Sequence, residues 1–445
     1  MHRWIVMLAC LSSSAAPGFA ESTAGEDPRV AELERKVDVL TQEIEALKLG
    51  AVAETTHYES RRGLAPAASK VYGVSRGISL GGYGEMLFER FDRENQDGQG
   101  VQTRDRIDYL RQVLYLGYKF DDRLLFNSEL EIEHAAIRDE AEVQVAPLTG
   151  AGEVELSGEF GLEFAYLEWS ARRELGLRAG MLLVPLGLTN EIHEPPTYLG
   201  ARRPGVEEFI IPTTWRGNGA GLFGEAGPGF SWRAYLIEGL DGEEFGAASG
   251  IREGRQGGSQ SVINRPALTA RLDWSGGPGL LAGVSVLTGD TWQDPQPGGA
   301  ELTARHTLYD LHARLAWRGL EARGVWAAGR LEQAGRLSDQ LGLTGAERLG
   351  ERSFGGYLEG GYDVLPLLAR GSDLALLPYA RYEVFDTQED VPGGIENPEY
   401  RRRVLTLGLE FKPHPNVVLK AEREERRNDA HTDVSQWNIA LGYLF

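Results

Sequence analysis

The chain contains a single cysteine, Cys10, and no apolar run that approaches the roughly 18 residues of a membrane-spanning helix. Basic residues are also few: 46 lysines and arginines stand against 66 aspartates and glutamates, for a formal net charge of -20. Nucleic-acid binding requires a basic face, so we expect no nucleic-acid partner. Glycine, in contrast, is abundant at 57 residues, and together with the aromatic residues it favours a large antiparallel β protein.

The N-terminus has the pattern of a secretory signal peptide over residues 1–20. Arg3 supplies the positive charge, "WIVMLACL" is a short apolar core, and small residues lead to "PGFA", which places cleavage after Ala20. A lipoprotein signal is the alternative, but Met7-Leu8-Ala9-Cys10 matches the required motif poorly. After cleavage no cysteine remains, which excludes disulfides and thiolate chemistry. An exported chain without a membrane helix belongs in the periplasm, the outer membrane or the medium.

Residues 28–49 have the heptad pattern of a short coiled coil. Apolar residues alternate between spacings of three and four, with valine or isoleucine at each a position and leucine at each d position. The seam is formed by Val30, Leu33, Val37, Leu40, Ile44 and Leu47. A single helix docked on a domain is the alternative, but a stripe this narrow favours self-association. Residues 50–73, which include "RRGLAPAAS", are predicted to be a linker.

From residue 74 to the end, the chain consists of segments in which apolar and polar residues alternate, with turns between them. The segment "LLFNSELEIEHA" is typical. One of its faces carries Leu124, Phe126, Leu130 and Ile132, and the other carries Asn127, Glu129, Glu131 and Glu133. A period of two indicates a strand with one apolar face and one wet face. About sixteen such segments follow one another to the C-terminus.

The connections between these segments alternate in length. Tight turns such as "DDR" (121–123), "GPG" (227–229) and "PHPN" (413–416) alternate with long loops. The long loops cover residues 92–103, 138–152, 186–217, 241–264, 291–303, 332–350 and 387–399. Transmembrane β-barrels have short periplasmic turns and long external loops. The sequence therefore predicts an all-β fold, a 16-stranded antiparallel transmembrane β-barrel over residues 74–445 with a short N-terminal coiled-coil helix.

The C-terminal strand adds a second indication of an outer-membrane barrel. Trp437, Ile439, Leu441, Tyr443 and Phe445 lie on one strand face, and the chain ends on Phe445. We expect Tyr443 and Phe445 to form the signal that barrel insertion machinery recognises. The predicted location is the outer membrane of a Gram-negative bacterium, in contact with its lipid, with the N-terminal segment in the periplasm.

The third long loop and two other segments carry a family resemblance. "NEIHEPPTYLGARRPGVEEFIIPTTWRGNGAG", "LYLGYKFDDRLLFNSELEIEHA" and "GIREGRQGGS" resemble the phosphate-selective porin O and P family of Gram-negative outer membranes. The resemblance covers roughly residues 77–445. It implies a trimeric porin for passive diffusion of small hydrophilic solutes, anionic or neutral, with or without a preference for anions such as phosphate. It also implies that the loop at 186–217 folds inward and narrows the channel.

Charged side chains in that loop and on the inward strand faces are the candidate functional residues. The predicted constriction consists of Arg202, Arg203, Arg216, Glu207, Glu208, Glu191 and His193. The predicted lumen wall consists of Arg111, Glu129, Glu131, Glu133, Arg314, Arg381, Arg402 and Lys420. Opposed acidic and basic walls would set a transverse field and an ion preference. The alternative is a solvated lumen in which each charge is paired with a neighbour.

Enzyme and metal chemistry find little support in the sequence. His193 and Glu194 begin a zinc-peptidase motif, His-Glu-x-x-His, but position 197 is threonine and Pro195-Pro196 prevent a helix. We therefore expect no metal site, no cofactor and no enzymatic activity. Two other functions stay open at this stage: a structural outer-membrane tether whose coiled coil contacts the cell wall, and a barrel enzyme such as a lipase.

Overall fold

The computed structural model describes Glu32, Arg35 and Lys36 and residues 59–135, 159–294, 302–369 and 374–445. The chain divides into two compact units, Met1–Thr55 and Thr56–Phe445. In the first unit the three described residues are helical, and Lys36 Nζ lies 3.0 Å from Glu32 Oε1. The signal peptide and the coiled-coil seam from Val30 to Leu47 lie outside the described residues, so both stay predictions.

Sixteen antiparallel strands form one closed barrel, which confirms the predicted fold class. Each strand pairs with its neighbours in sequence, and β1 pairs with β16 to close the sheet. The strands are β1 (Gly77–Phe91), β2 (Arg106–Lys119), β3 (Leu124–Glu133), β4 (Glu159–Arg172), β5 (Leu175–Leu183), β6 (Arg216–Ala226), β7 (Phe230–Ile237), β8 (Ala267–Gly277), β9 (Leu280–Asp290), β10 (Arg305–Trp317), β11 (Leu320–Leu331), β12 (Arg352–Tyr362), β13 (Ala375–Glu389), β14 (Arg401–His414), β15 (Val417–Asn428) and β16 (Gln436–Leu444). Closure pairs the strand edges, as a sheet in a membrane requires.

The strands have an apolar outer face and a polar inner face, because successive residues of a strand point to opposite sides. On β14, Leu405, Leu407 and Leu409 are 38%, 53% and 43% exposed, whereas Thr406 and Glu410 between and beside them are buried. Strand β16 shows the same alternation, with Trp437 and Ile439 exposed and Gln436 and Asn438 buried. The outer wall therefore suits lipid hydrocarbon, and the inner wall suits water and polar loops.

Phe445, which follows β16, contacts β1 at the barrel seam. Gly82 N donates to Phe445 O at 3.0 Å, and Phe445 N donates to Gly82 O at 2.9 Å. A Cβ atom at position 82 would lie 2.4 Å from the backbone carbonyl oxygen of Val113 and 2.7 Å from Cζ of the Phe445 ring, so glycine suits this position. Two residues before Phe445, on β16, the Tyr443 hydroxyl lies 2.7 Å from the Tyr109 hydroxyl of β2. Both predicted C-terminal residues therefore take part in the seam, and their recognition by insertion machinery stays a prediction.

Connection lengths alternate around the barrel. Short turns such as 120–123 and 318–319 lie at one end, and long loops lie at the other, including loop L3 (residues 184–215) and loop L4 (residues 238–266). The connections also contain short helical pieces, namely Pro195–Thr197, Val206–Ile210, Gly242–Glu244, Ala334–Gln340, Gly345–Glu347 and Leu365–Leu368. Among the described residues, no helix combines the length and the apolar character needed to cross a membrane.

Residues 59–73, here called the inner segment, lie inside the barrel near the short turns. They contain a 3-10 helix, Ala68–Tyr72, and bury Leu64 and Val71 to 3% and 1% exposure. The Tyr72 hydroxyl donates to Glu168 of β4 at 2.8 Å. The sequence assigns these residues to a linker because they lack periodicity. In the structure their small side chains fit between the larger ones of the lumen wall.

Candidate functional site

Loop L3 crosses the lumen and is held by side chains of the barrel wall. Lys420 on β15 donates from Nζ to the backbone carbonyls of Pro195, Tyr198 and Gly200 at 2.7, 2.7 and 2.8 Å. Gly200 has a φ of +91°, a conformation that favours glycine, and this bend turns its carbonyl toward the ammonium group. Lys420, predicted as a lumen-wall residue, is therefore a loop anchor.

Acidic wall residues bind the backbone N–H groups of loop L3. Glu422 accepts from Ala201 N at 2.8 Å, and Glu383 accepts from Val206 N at 3.3 Å. An irregular loop has no strand ladder to satisfy its N–H groups, so buried side chains must accept these bonds. Part of the acidic charge of the lumen therefore has a structural use.

Two acidic residues predicted at the constriction also serve as anchors. Glu207 is completely buried and accepts from Thr189 N at 2.6 Å and from the Tyr357 hydroxyl at 2.6 Å. Glu191 Oε2 lies 3.1 Å from Arg233 Nη2 on β7. The sequence predicts that both side chains are exposed at the constriction, because charged loop residues are commonly solvated. Inside the barrel, the loop turns them toward the wall.

A cavity of about 560 Å³, the loop-side cavity, adjoins the part of loop L3 that follows Tyr198. Its acidic lining from strands β1–β4 consists of Glu85, Glu89, Asp108, Glu131, Glu133 and Glu163. Its lining from loops L3 and L4 and the start of β6 contains Arg202, Arg203, Glu208, Arg216, Arg252 and Arg255. The two signs of charge are thus largely sorted by element.

All three arginines predicted at the constriction line this cavity. Arg202 pairs with Glu89 of β1. Arg216 Nη1 lies 3.9 Å from Glu163 Oε1. Arg203 donates to the threonine hydroxyls at positions 213 and 214, at 3.3 and 2.9 Å, and forms no ion pair among the described residues. The structure therefore brings the three together, with different degrees of charge pairing.

Two further arginines, absent from the predicted site, come from loop L4. Arg252 Nη1 donates to the carbonyl of Thr213 at 2.9 Å, and Arg255 Nη1 donates to the carbonyl of Thr214 at 2.9 Å. Neither forms an ion pair within the described part of the chain, although Arg252 acts electrostatically on Glu208. The available signal was "GIREGRQGGS", in which glycines surround two arginines three residues apart.

The loop charges persist at neutral pH. Burial and the neighbouring Arg252 lower the pKa of Arg255 to about 10, which leaves it protonated. Burial disfavours charge on Arg202, but Glu208 and other carboxylates outweigh this effect and raise the pKa of Arg202. Burial likewise opposes charge on Glu208, but Arg202 and Arg252 prevail and lower the pKa of Glu208.

The acidic strand faces beside the cavity are partly neutralised by one arginine. Arg111 on β2 lies 3.1 Å from Glu131 and 3.3 Å from Glu133, measured from its Nη1 and Nη2 atoms. It also lies 3.6 Å from Glu85. The predicted wall residues Arg111, Glu131 and Glu133 therefore form one ion-pair cluster.

The remaining predicted wall arginines lie away from this cavity. Arg381 is 1% exposed, with its Nε 2.9 Å from Glu383. Arg402 covers the Phe209 ring of loop L3 at 4.7 Å. Arg314 lines a second cavity of about 610 Å³, the turn-side cavity, which the inner segment and the short turns also line.

Loop L3 and the inner segment are joined between these two cavities. Glu194 accepts from the backbone N–H groups of Ala67 and Ala68 at 2.9 and 3.1 Å. Burial raises the pKa of Glu194 to about 7, although these two hydrogen bonds act in the opposite direction. The loop and the segment thus form one connected layer inside the barrel.

His193, also predicted at the constriction, is buried beneath loop L3. Its Nε2 atom lies 3.3 Å from Glu129 Oε1 on β3 and 3.3 Å from Glu163 Oε2 on β4. Burial disfavours a charged ring, but the two carboxylates outweigh this effect and raise the pKa of His193 to about 9. Glu129, predicted as a wall residue, therefore contacts the loop and not the cavity.

Comparisons with known proteins agree with this architecture. No family model matches the chain. An uncharacterized protein of Aquifex aeolicus (strain VF5) is 34% identical over 401 residues, which cover 87% of this chain and 84% of that protein.

Two solved structures share the fold at low sequence identity. Salmonella typhi OmpF, in a complex with daunomycin, has a TM-score of 0.52 and 11% identity, covering 83% of this chain and 98% of that chain. An anion-selective porin from Comamonas acidovorans has a TM-score of 0.50 and 12% identity, covering 83% and 99%. The chain therefore belongs to the family of the Aquifex aeolicus protein and has the fold of outer-membrane porins.

Proposed function

We propose that this protein is an outer-membrane porin, a water-filled channel for passive diffusion of small hydrophilic solutes, with loop L3 as its constriction and a preference for anions there. The barrel fold, the apolar outer wall and the polar cavities beside loop L3 support the proposal. The C-terminal seam and the short turns face the periplasm in this arrangement, and the long loops face the outside.

The observation that carries the anion preference is the set of arginines without carboxylate partners. Arg203, Arg252 and Arg255 line the loop-side cavity, and their hydrogen bonds go to hydroxyls and backbone carbonyls, mostly of residues 208–214 and in one case of Arg252 itself. Such bonds fix the position of a guanidinium group but leave its positive charge available to a solute. An anion in this cavity would therefore meet three fixed positive charges.

The net charge of -20 does not decide selectivity. Charges on exposed loops and rims are screened beyond about 8–10 Å at physiological salt. A solute inside the loop-side cavity lies within that distance of the lining residues. Local charges on the lining should therefore outweigh the total charge of the chain.

Reversal potentials in planar bilayers test the proposal. Channel activity itself separates a porin from a structural tether or a barrel enzyme. We expect wild-type protein to prefer anions at low salt. Replacing Arg203, Arg252 and Arg255 together by glutamine should move the reversal potential toward cation preference, and the effect should shrink as salt rises.

A matched control removes the same charge elsewhere. Arg305, Arg330 and Arg352 are exposed arginines outside the cavity lining, and their combined replacement by glutamine should leave the reversal potential nearly unchanged. Equal shifts in both triple variants would contradict a local effect. No shift in the cavity variant would mean that the acidic faces near Glu131 and Glu133 govern permeation, and that the channel is general or cation-preferring.

We also propose that the protein is a phosphate-selective porin of the O and P type. The loop L3 segment resembles the phosphate-selective porin O and P family, and the anion-selective porin from Comamonas acidovorans has the same fold. We infer a homotrimer in outer-membrane lipid, delivered there by barrel insertion machinery. Small anions such as phosphate are the solutes to compare first.

A further inference from the structure

A buried cluster of Glu129, Glu163 and His193 holds more acceptors than the surrounding protein satisfies. One ligand atom from each residue lies within 4.8 Å of the other two. The three residues are 0%, 3% and 1% exposed. Glu129 Oε2 and Glu163 Oε2 have no hydrogen-bond partner among the described residues. Buried carboxylate oxygens without hydrogen-bond partners are costly, so a further cation or a water molecule at this place would stabilise them.

The orientation of the His193 ring makes Nε2 the atom that faces both carboxylates. Its Nδ1 lies 3.1 Å from the Asn190 carbonyl oxygen, which can only accept, so Nδ1 carries a proton. In a neutral imidazole the remaining nitrogen, Nε2, is then a lone-pair donor toward a metal. A backbone carbonyl that fixes the tautomer in this way is the common second partner of metal-binding histidines.

His193 Nε2 and Glu129 Oε1 form a long hydrogen bond, and the distances around Nε2 also fit the ligands of one ion. Charge-assisted hydrogen bonds between N–H and carboxylate span about 2.7–2.9 Å. Here Nε2 lies 3.3 Å from both Glu129 Oε1 and Glu163 Oε2. Two ligands on a tetrahedral ion with bonds of about 2.0–2.1 Å are separated by roughly 3.3 Å. A single proton on Nε2 could serve one carboxylate well, but it could not serve both.

We propose that Glu129, Glu163 and His193 bind a divalent transition-metal ion, for which zinc is the best match, and that this ion fastens loop L3 to strands β3 and β4. Two carboxylates and one imidazole suit zinc, whereas magnesium and calcium prefer oxygen ligands alone. Two negative charges would be balanced by one divalent cation.

The surroundings offer both an entry path and a fourth ligand position. Glu163 lines the loop-side cavity and so connects that cavity with the cluster. Three protein ligands leave one position for water. Tyr83 packs edge-on against the His193 ring at 6.0 Å, and its hydroxyl has no partner among the residues that the structure describes. The hydroxyl is therefore available to a water molecule at this place.

Zinc binding by the full-length folded protein in detergent tests the proposal. The protein is freed of any histidine tag, treated with a chelator, dialysed and titrated with zinc chloride. We expect one zinc ion per chain and a higher unfolding temperature with zinc than after chelation, because an ion that binds only the folded state stabilises it.

Substitutions locate the ion. Glu129→Gln and Glu163→Gln should each weaken zinc binding by more than about 100-fold, since loss of a second-shell partner alone costs about 10–100-fold. Glu133→Gln is the matched control: Glu133 lies on β3 and lines the same cavity, but it pairs with Arg111. Its zinc affinity should equal that of the wild type. Heat-modifiable migration on gels confirms that each barrel is folded.

A measurement on the wild type alone keeps the test decisive if a variant does not fold. X-ray absorption of the zinc-loaded protein should show nitrogen and oxygen ligands with one imidazole. A wild-type barrel that takes up no zinc, or one whose zinc has several imidazole ligands, would overturn the proposal. Folded Glu129→Gln and Glu163→Gln variants that bind zinc as well as the wild type would do the same. A protonated imidazole between two carboxylates would then be the occupant.

Discussion

At the scale of single residues, Lys420 joins loop L3 to the wall by three hydrogen bonds from one side chain. Its three hydrogen bonds to backbone carbonyls involve a buried charge, and each such bond contributes about 1.5–3 kcal/mol. Lys420→Met should leave three buried carbonyls without a donor and loosen the loop while the strands stay paired. We expect larger and noisier single-channel currents and a lower unfolding temperature.

Lys412 provides the control for this change. It lies on the neighbouring strand β14, and its Nζ is 2.9 Å from Glu410, without a hydrogen bond to loop L3. Lys412→Met removes the same charge and adds the same side chain, so its currents should stay close to those of the wild type. Similar noise in both variants would show that lumen charge, and not loop attachment, controls the currents.

The roles of individual residues were only partly predictable. Arg202, Arg203 and Arg216 line the loop-side cavity, and their place at the narrowest point of the channel stays a prediction. Glu207 has the same sequence character, but Tyr357 donates to it from a strand far along the chain. The partners of His193 likewise come from two strands whose register with the loop is set by the closed barrel. Local sequence carries no information on such contacts.

At the scale of elements, the inner segment fills lumen space that a solute would otherwise use. A mature chain that begins at residue 74 lacks this segment and should still close its barrel, because strands β1–β16 are intact. We expect a higher single-channel conductance, and a lower unfolding temperature because Leu64 and Val71 no longer contribute buried apolar surface.

A chain that begins at residue 59 is the comparison, since it lacks the predicted coiled coil and keeps the inner segment. Its conductance should match that of the full mature chain. If both truncated chains conduct alike, the segment does not obstruct the path, and its role is confined to stability.

Strands were predictable from the sequence, whereas the inner segment was not. The period of two in segments such as Leu124–Glu133 follows from an apolar membrane outside and a wet lumen inside, and every strand meets both. Residues 59–73 meet a different environment, in which residues 64–65 and 67–69 are buried against wall and loop while residues 59–61 and Gly73 are exposed. Such a segment needs small side chains, and it needs no repeating pattern of apolar and polar residues. Small residues without such a pattern also occur in linkers, so the sequence does not distinguish the two.

At the scale of the whole molecule, the two ends of the barrel should face opposite sides of the outer membrane. Gly100 lies in the long loop between β1 and β2, and Asp122 lies in the short turn between β2 and β3. With a membrane-impermeant thiol reagent on intact cells, a cysteine at 100 should react and a cysteine at 122 should not. Both should react after lysis, which controls for exposure. The reverse pattern on intact cells would mean an inverted barrel.

The barrel as a whole was predictable because its physical requirements repeat sixteen times along the chain. The alternation of apolar and polar residues is a weak signal in any single strand, such as β14 or β16. The signal becomes strong when all the strands show it, because each of them faces the same membrane. The interior does not repeat, since loops L3 and L4 and the inner segment each occur once. Their mutual contacts, such as that of Glu194 with Ala67, follow from three-dimensional closure and have no counterpart in sequence periodicity.

The bonds between Gly82 and Phe445 fix an order of assembly. They join β1 to the residue that follows β16, so the cylinder cannot close before both of these strands have been synthesised and exported. Contacts this distant in sequence form slowly, and until then β1 and β16 both present open edges that invite pairing with other chains. The inner segment immediately precedes β1 and must enter the lumen during this interval. The cell therefore has to shield an unfinished sheet for the time between export and closure.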